Sequence, residues 1–478
     1  MTRRRACPPA PGPLEEYARQ FDDLWGTLAQ RRGFREYLQG LLLPRDRAKT
    51  LTGLVGTEPI VGAHAASVQA LQFFLSESAW DAEAVNARRL ELLLTEPATR
   101  PHEGSVLVLD DSGDRKSGTR TAHVGRQYLG SIGKIDNGIV AVTSLWADER
   151  VYYPLHVRPY TPAKRLPQGK KDPAFRTKPQ LAGDLVDLAL EQGVSFRAVV
   201  ADCAYGDHLE FRDALAAADL PYVLAVKPST AIWALGDDPN CPAEAVERLR
   251  WGGPDEPGDW APIERRFRDG HTELWWAAEL RYGPFGPDKP TRAIVATTDP
   301  ARLPPLTTWY LFTNLPCPGS APAAASPIPP AKLAEVVRLY GLRNWVEQGY
   351  RQVKQELGWA DFMVRSDRAI RRHWALVCCA FAFCWRAWFA DDAAQAPPTG
   401  IAPPPPPPEP AAAGEKSATR RRARALLAAG TPAGPQLADA RDLPPSVVAC
   451  LVDRATSTRV AAAPEPTRAR PPARPLRP

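Results

Sequence analysis

The sequence lacks an apolar run long enough to cross a lipid bilayer. Its most apolar stretch, Trp374 to Trp385, covers about a dozen residues before Arg386 interrupts it, whereas a membrane-spanning helix needs about 20. The first residues (MTRRRACPPAPGP) carry charge but no apolar core, so we expect no secretory signal there. We therefore predict a buried core helix over residues 374–385 and a cytoplasmic protein without a membrane partner.

The sequence also lacks closely spaced cysteines. Its eight cysteines are scattered, none forms a C-x-x-C pair, and none stands beside a histidine cluster. A zinc site needs ligands at short spacing, and a disulfide framework is typical of short secreted chains. We therefore predict reduced thiols with a structural role.

Composition and charge point only weakly to a partner. Of the 478 residues, 44% are hydrophobic and 24% are charged, which is ordinary for a soluble protein of two or three domains. The formal net charge is +6. This value favours a polyanionic partner such as DNA, although many enzymes have a similar charge.

Residues 1–100 have the periodicity of helices. Apolar residues recur every three or four positions in segments such as REYLQGLLL and SVQALQFFLSES, which predicts amphipathic helices. Basic residues interleave with them: Arg31, Arg32, Arg35, Arg45, Arg47 and Lys49. These cations fit a small DNA-binding module and fit a solvated helical face equally well.

Residues 101–390 show a different order of elements, namely three strands, a helix, a strand, a helix and a strand. SVLVLDDS and FRAVVAD are short apolar runs that end in acids, as is typical of buried strands. A doubly wound sheet would alternate strands and helices from the start. The order therefore predicts an α/β fold of the ribonuclease-H-like type, with a mixed sheet flanked by helices.

Three further regions complete the predicted organisation. Residues 228–330 are rich in Pro, Gly and Trp, with strands at TELWWAAELRY, TRAIVATT and TWYLFTN, which predicts a β-rich insertion. Two helices follow, over roughly 331–357 and 365–390. From residue 391 to 478 the composition shifts to Ala, Pro and Arg, with six consecutive prolines, and predicts a mostly disordered tail.

Acids at the ends of two predicted strands are candidate ligands for divalent cations. Phosphodiester cleavage must deprotonate a nucleophile and compensate negative charge, and two Mg²⁺ ions about 4 Å apart do both. Such hard cations prefer carboxylate oxygens. Asp110 and Asp111 end the first strand, and Asp202 ends the fourth. Because side chains alternate along a strand, only one of the first two acids can face the site directly.

A polar stripe on the helix predicted near 331–357 supplies a third acid. Its residues are Tyr340, Arg343, Glu347 and Lys354. They are spaced by three, four and seven positions, so they share one narrow arc of an ideal helix. The same spacing fits a solvated helical face with an Arg–Glu pair, and this stretch alone does not decide between the two.

Taken together, these motifs resemble a known family. The stripe reproduces in full the Tyr-Arg-Glu-Lys pattern, called YREK, of bacterial insertion-sequence transposases with a DDE site. VLVLDDSG resembles the family's first motif, a strand leading to Asp followed by Ser or Thr, which selects Asp111. VVADCAYGD resembles the second motif and selects Asp202. LGSIGKIDNG (129–138) and FRTKPQLA (175–182) are also similar to segments of this group, and the resemblance covers roughly residues 30–390.

The resemblance implies a metal-dependent DNA transposase. It implies that Asp111, Asp202 and Glu347 hold two Mg²⁺ ions, with Mn²⁺ as a substitute, and are the catalytic residues. The implied reaction is cleavage at the ends of the insertion sequence followed by strand transfer into target DNA, of the cut-and-paste type. The implied fold is the one predicted above, with a β-rich insertion before the glutamate helix.

The resemblance also implies contacts with double-stranded DNA, a homodimer that pairs two ends, and a nucleoid-associated location. Arg343 and Lys354 would bind phosphates near the cut, and Tyr340 would contact the terminal nucleotides. In related enzymes an aromatic residue of the insertion receives a flipped base. Three tryptophans are candidates, although tryptophans in a β-rich region are more often core residues: Trp275, Trp276 and Trp309.

Two other interpretations compete with this one. Another ribonuclease-H-like nuclease, such as a resolvase, would need neither the YREK stripe nor the large insertion. A domesticated copy would bind DNA without transposing it, and the presence of all three acids argues against such decay.

Overall fold

A computed structural model describes residues 6–58, 62–232, 237–267 and 270–395. This part of the chain contains a ten-stranded mixed sheet flanked by helices. Of the tail predicted from residue 391, residues 391–395 are the end of the last helix, and the rest, from position 396 onward, lies outside the described residues.

Within the described residues five α-helices precede the sheet, which confirms the predicted helical N-terminal region. They are α1 (Pro13–Arg19), α2 (Leu28–Leu42), α3 (Leu51–Leu54), α4 (Ala66–Ser76) and α5 (Ala82–Thr95). A capping box begins α2, because the Thr27 hydroxyl accepts from the Gln30 backbone N–H while the Gln30 side chain accepts from Thr27. The apolar faces of these helices share one core with the sheet.

Several cations of this helical region are held inside the protein. The Arg35 guanidinium forms ion pairs with Glu15 at 2.8 Å and with Asp22 at 2.7 Å. Arg45 and Lys49 donate to backbone carbonyls of the same region. Donors that already satisfy internal acceptors would have to exchange partners before they could bind DNA phosphates. Arg35, Arg45 and Lys49 therefore have structural partners, whereas Arg32 is exposed, and DNA binding by this region stays a prediction.

The central strands and helices follow in the predicted order, with the short β2 as an addition. They are β1 (Val106–Arg115), β2 (Gly125–Leu129), β3 (Lys134–Ala147), β4 (Tyr152–Tyr160), α6 (Lys178–Glu191), β5 (Ala198–Ala201), α7 (Cys203–Gly206), α8 (Leu209–Ala217) and β6 (Tyr222–Ala225). β1 pairs antiparallel with β3 and parallel with β5, while β4 pairs antiparallel with β3 and β6 parallel with β5. The resulting order β4-β3-β1-β5-β6 confirms the ribonuclease-H-like fold.

The β-rich insertion continues the same sheet. Its elements are α9 (Pro242–Val246), β7 (Ala261–Arg266), β8 (Thr272–Leu280), β9 (Arg292–Thr297), β10 (Thr308–Thr313) and α10 (Ala321–Ala325). β10 pairs antiparallel with β6, and β9, β8 and β7 follow outward. The three predicted strands are confirmed as β8, β9 and β10, whereas β7 was not predicted.

Three helices close the described chain: α11 (Leu333–Gly341), α12 (Asn344–Gln355) and α13 (Asp367–Gln395). The prediction of a single helix over 331–357 is wrong in one respect, because the helix is interrupted after Gly341. The backbone N–H groups of Arg343 and Val346 bond to carbonyls three residues earlier, which tightens the chain into a 3₁₀ turn. Tyr340 and Glu347 therefore lie on different helices.

The helix α13 contains a segment, Asp367–Ala390, that is long and apolar enough to cross a membrane by length and composition. However, 72% of its apolar part is buried inside the protein. Phe381 and Trp385 of this segment pack against Tyr152 of β4. The helix predicted over 374–385 is thus confirmed as a core helix.

Two buried histidines make the fold sensitive to acid. Burial lowers the pKa of His373 in α13 to about 4 and that of His156 in β4 to about 3. The His373 ring contacts the Tyr37 hydroxyl at 2.8 Å and the Gly358 carbonyl at 3.0 Å. The neutral ring therefore joins α2 to the loop that precedes α13.

We predict that the free energy of unfolding falls as the pH drops below about 6.5, the pKa of a histidine in the unfolded chain. Below that pH the unfolded state binds protons that the folded state excludes down to about pH 4 at His373 and about pH 3 at His156. Each histidine should lower the free energy of unfolding by about 2 kcal/mol between pH 7 and pH 5. Urea titrations at both pH values measure the difference.

In His373→Gln the loss of unfolding free energy between pH 7 and pH 5 should be about 2 kcal/mol smaller than in the parent, because one of the two buried histidines is removed. The control His64→Gln changes a histidine that is exposed and should behave like the parent. A parent protein with the same free energy of unfolding at both pH values would contradict the prediction.

Candidate active site

Two neighbouring strands bring two acids together. The parallel register pairs Leu109 of β1 with Ala201 of β5, so Asp110 and Asp202 come next, side by side at the same level of the sheet. Asp202 also begins α7, because its carboxylate accepts a hydrogen bond from the Ala204 backbone N–H at 2.9 Å. The strand ends therefore supply two adjacent carboxylates.

One guanidinium joins these acids to a third. The Nη2 atom of Arg343 lies 2.7 Å from Oδ2 of Asp110 and 3.7 Å from Oδ2 of Asp202. The same nitrogen lies 3.6 Å from Oε1 of Glu347, one turn further along. Three carboxylates from distant parts of the chain thus surround one positive charge.

Asp111 has different partners. Its Oδ2 atom accepts from Nζ of Lys178, the first residue of α6, at 3.0 Å and from the Tyr205 hydroxyl at 3.4 Å. Because neighbouring side chains alternate along a strand, Asp110 and Asp111 point to opposite faces of the sheet. The geometry brings Asp110 to the Arg343 cluster, whereas the resemblance of the first motif selected Asp111.

Burial and crowding of negative charge act on Asp110. Burial raises the pKa of this carboxyl well above its usual range, the Arg343 guanidinium opposes that rise, and the neighbouring carboxylates Asp202 and Glu347 add to it. Arg343 is itself mostly buried, and the same acids hold its pKa above the ordinary value in spite of burial. Like charges close to a buried carboxylate are unfavourable without compensation, and the Arg343 guanidinium supplies positive charge at this position.

The donor set of the cluster fits hard divalent cations. Carboxylate oxygens are the ligands that Mg²⁺ prefers, and the three acids already surround a positively charged nitrogen. Within the described ranges, no three His, Cys, Asp or Glu side chains are spaced as a ready-made metal site, and the Arg343 guanidinium lies between these acids. The side chain of Glu347 is 64% exposed, which leaves it room to adjust.

The two remaining residues of the polar stripe are both engaged within the protein. Nζ of Lys354 forms an ion pair with Asp114 of β1 at 2.7 Å. Tyr340 is only 7% exposed and packs edge-on against Trp309, with ring centroids 4.9 Å apart. Burial raises the pKa of the Tyr340 hydroxyl to about 12. Neither side chain stands free in solvent, so the implied DNA contacts need an exchange of partners.

The tryptophans of the insertion differ in exposure. Trp275 and Trp276 are core residues, whereas Trp309 is half-buried. Trp309 packs on Trp275 at 4.3 Å between ring centroids, and the Arg265 guanidinium lies 4.7 Å from the Trp309 ring. Among the three candidates, Trp309 alone is partly exposed and lies against Tyr340.

Sequence motifs did not indicate two polar residues behind the cluster. The Thr143 hydroxyl donates to the Asp110 carbonyl at 3.4 Å and hydrogen-bonds to the Tyr350 hydroxyl. Burial raises the pKa of Tyr350 well above its usual value. Tyr350 is three residues after Glu347, so helical periodicity could have indicated it, whereas only strand pairing brings Thr143 here.

Comparison with known proteins decides the family. Residues 20–273 match the model of a DDE superfamily endonuclease, and residues 172–383 match that of the transposase DDE domain. The chain is 33% identical over 363 residues to a probable transposase for insertion sequence element IS701 from Microchaete diplosiphon. That alignment covers 76% of this chain and 84% of the relative.

The chain belongs to the DDE transposase family. It is therefore an enzyme of the transposase and endonuclease class, and such enzymes act on DNA and generally use divalent metal ions.

We predict that Asp110→Asn weakens divalent-cation binding by this transposase at least about tenfold, because it removes a charged ligand. Asp111→Asn, the matched control one residue further along the strand, should stay within about threefold of the parent. Calorimetric titration with Mn²⁺ in the absence of DNA measures both. The reverse order of effects would restore Asp111 as the ligand.

Proposed function

We propose that this transposase cleaves DNA at the ends of an insertion sequence and joins the freed 3′ ends to target DNA by a cut-and-paste route. The observation that carries the proposal is the convergence of Asp110, Asp202 and Glu347 on one position beside the Arg343 guanidinium. Family membership supports a nuclease role for this cluster.

We propose that the three carboxylates hold two Mg²⁺ ions, for which Mn²⁺ can substitute. Bound there, the ions would supply compensation for phosphate charge and a lowered pKa of water. Asp110 replaces Asp111 in this set, because the contacts of Asp110 are with Arg343 and those of Asp111 are with Lys178.

The two cations of the polar stripe are proposed to exchange their acidic partners for DNA phosphates. Arg343 would leave the carboxylates once their charge is otherwise compensated, and its forked guanidinium suits two phosphate oxygens. Lys354 would exchange Asp114 for a phosphate in the same way. Tyr340 is buried behind Trp309, so it would hold that indole ring in position for the terminal nucleotides.

Assembly and location follow from the substrate. A cut-and-paste reaction must hold two element ends at once, so we propose at least a homodimer on double-stranded DNA. The transposase would act in the bacterial cytoplasm, in association with the nucleoid. A resolvase-like nuclease would cut without joining ends to a target, and a domesticated copy would do neither.

We predict that Glu347→Gln lowers Mg²⁺-dependent cleavage of labelled DNA carrying the element's own ends by at least about 1,000-fold. Glutamine keeps the shape of the side chain but lacks the charge that a metal ligand needs. Affinity for the same DNA should stay within about threefold of the parent, since phosphate contacts are retained.

The control Glu210→Gln changes an exposed acid of α8 and should cleave normally. Unchanged cleavage by Glu347→Gln would remove this residue from the site. Products joined to a target plasmid separate transposition from cutting alone, because a resolvase-like nuclease would not form them.

We also predict that salt weakens DNA binding steeply, by at least about 100-fold between roughly 50 and 200 mM, because phosphate contacts release counterions. Lys354→Ala should lower the slope of the logarithmic plot by about one contact. Fluorescence anisotropy with end DNA measures both. A flat salt response would exclude Arg343 and Lys354 as phosphate contacts.

A further inference from the structure

A hairpin beside the active site presents large apolar side chains to solvent. It consists of β2, the turn over residues 130–133 and the first residues of β3. Tyr128 and Ile135 oppose each other across the two strands and are 59% and 61% exposed, and Ile132 in the turn is 41% exposed. A contiguous apolar patch of this kind on a projecting tip marks an interaction site.

Basic side chains frame this apolar patch. Arg126 lies on the same face of the hairpin and is exposed, and the exposed Lys134 begins β3. Arg115, at the end of β1, lies 3.3 Å from Asp136. A backbone hydrogen bond lowers the pKa of Asp136, and these three cations lower it further. Three cations around one acid leave the tip with an excess of positive charge, which complements a polyanion.

A shared carbonyl ties the hairpin to the active site. The Ser131 hydroxyl donates to the Gly113 carbonyl at 2.6 Å, and Nζ of Lys354 lies 3.4 Å from the same oxygen. Gly113 has no room for a side chain, because an added Cβ would meet Leu129 at 2.8 Å. Lys354 is seven residues from Glu347, or roughly 10 Å along α12, which corresponds to about three base pairs of duplex.

We propose that the β2–β3 hairpin binds the DNA duplex that flanks the cleavage position. A two-stranded ribbon fits the major groove, Arg126 and Lys134 would bind phosphates, and Tyr128 would contact a base or sugar. The positive charge around the patch favours duplex DNA as its occupant, and the shared Gly113 carbonyl places the turn beside Lys354. The inference rests on the proposed function in one respect, that the cut occurs beside Glu347.

The test compares full-length variants in binding to a fluorescein-labelled duplex that carries an element end and extends past the cut on both sides. Tyr128→Ser and Arg126→Ala should each weaken affinity at least about fivefold. The matched control is Phe73→Ser on α4, an aromatic residue that is 60% exposed, and it should bind like the parent. Equal urea midpoints would exclude misfolding as the cause.

A photo-crosslinking benzoylphenylalanine at position 128 locates the contact. Crosslinks should map to nucleotides within about one helical turn of the cut, given the separation along α12. Crosslinks elsewhere, or an affinity of Tyr128→Ser within about twofold of the parent, would overturn the inference. The inference would also be overturned if the hairpin variants sedimented as monomers, the parent sedimented as a dimer, and DNA affinity was unchanged. That result would make the hairpin an interface between two copies.

The two proposals fail separately. A parent protein that binds DNA through the hairpin but does not cleave it would overturn the proposed function and support the hairpin contact. A parent that cleaves normally while the hairpin variants bind like the parent would overturn only the hairpin contact.

Discussion

The ionic contact between Arg343 and three carboxylates is the constraint around which the site is arranged. Asp110 is buried and lies beside Asp202, a pairing of like charges that a low-dielectric environment disfavours. The guanidinium compensates both acids and at the same time holds Glu347 near them. The acids therefore have a cationic partner in the folded chain. Because Arg343 stands at the start of α12, its ion pair with Asp110 of β1 also connects α12 to the sheet.

Residues at the break between α11 and α12 contact the β-rich insertion. The Arg265 guanidinium of β7 lies so close to Gly341 that any side chain there would meet it. The same guanidinium stacks over Trp309, which packs against Tyr340. Because β10 pairs with β6 and continues the main sheet, the half-buried indole is held on an extension of that sheet, in contact with Tyr340. Precise placement of contact groups on rigid elements is what catalysis at a phosphate requires.

Sequence reasoning and structure differ most where two adjacent residues compete for one role. The motif at the end of β1 contains two aspartates, and its likeness to the family pattern selected the second. Strand register instead brings Asp110 level with Asp202, since Leu109 is level with Ala201, and this supports our proposal of Asp110 as the ligand. Some basic residues of the helical region have internal partners that the sequence did not indicate, for a related reason. Their partners, such as Glu15 for Arg35, become visible only when the helices pack.

What the sequence determined by itself was the order of strands and helices, the set of acids from which the site is drawn, and the family. These depend on local patterns: apolar runs make buried strands, and three- and four-residue spacing makes helices. Only the tertiary structure showed that Asp110 lies with Asp202 and Glu347 around Arg343, that Tyr340 faces an indole, and that the insertion extends the main sheet. These depend on register and on contacts between residues hundreds of positions apart, such as Arg343 with Asp110. The sequence pattern of one segment indicates neither the strand register nor these long-range contacts.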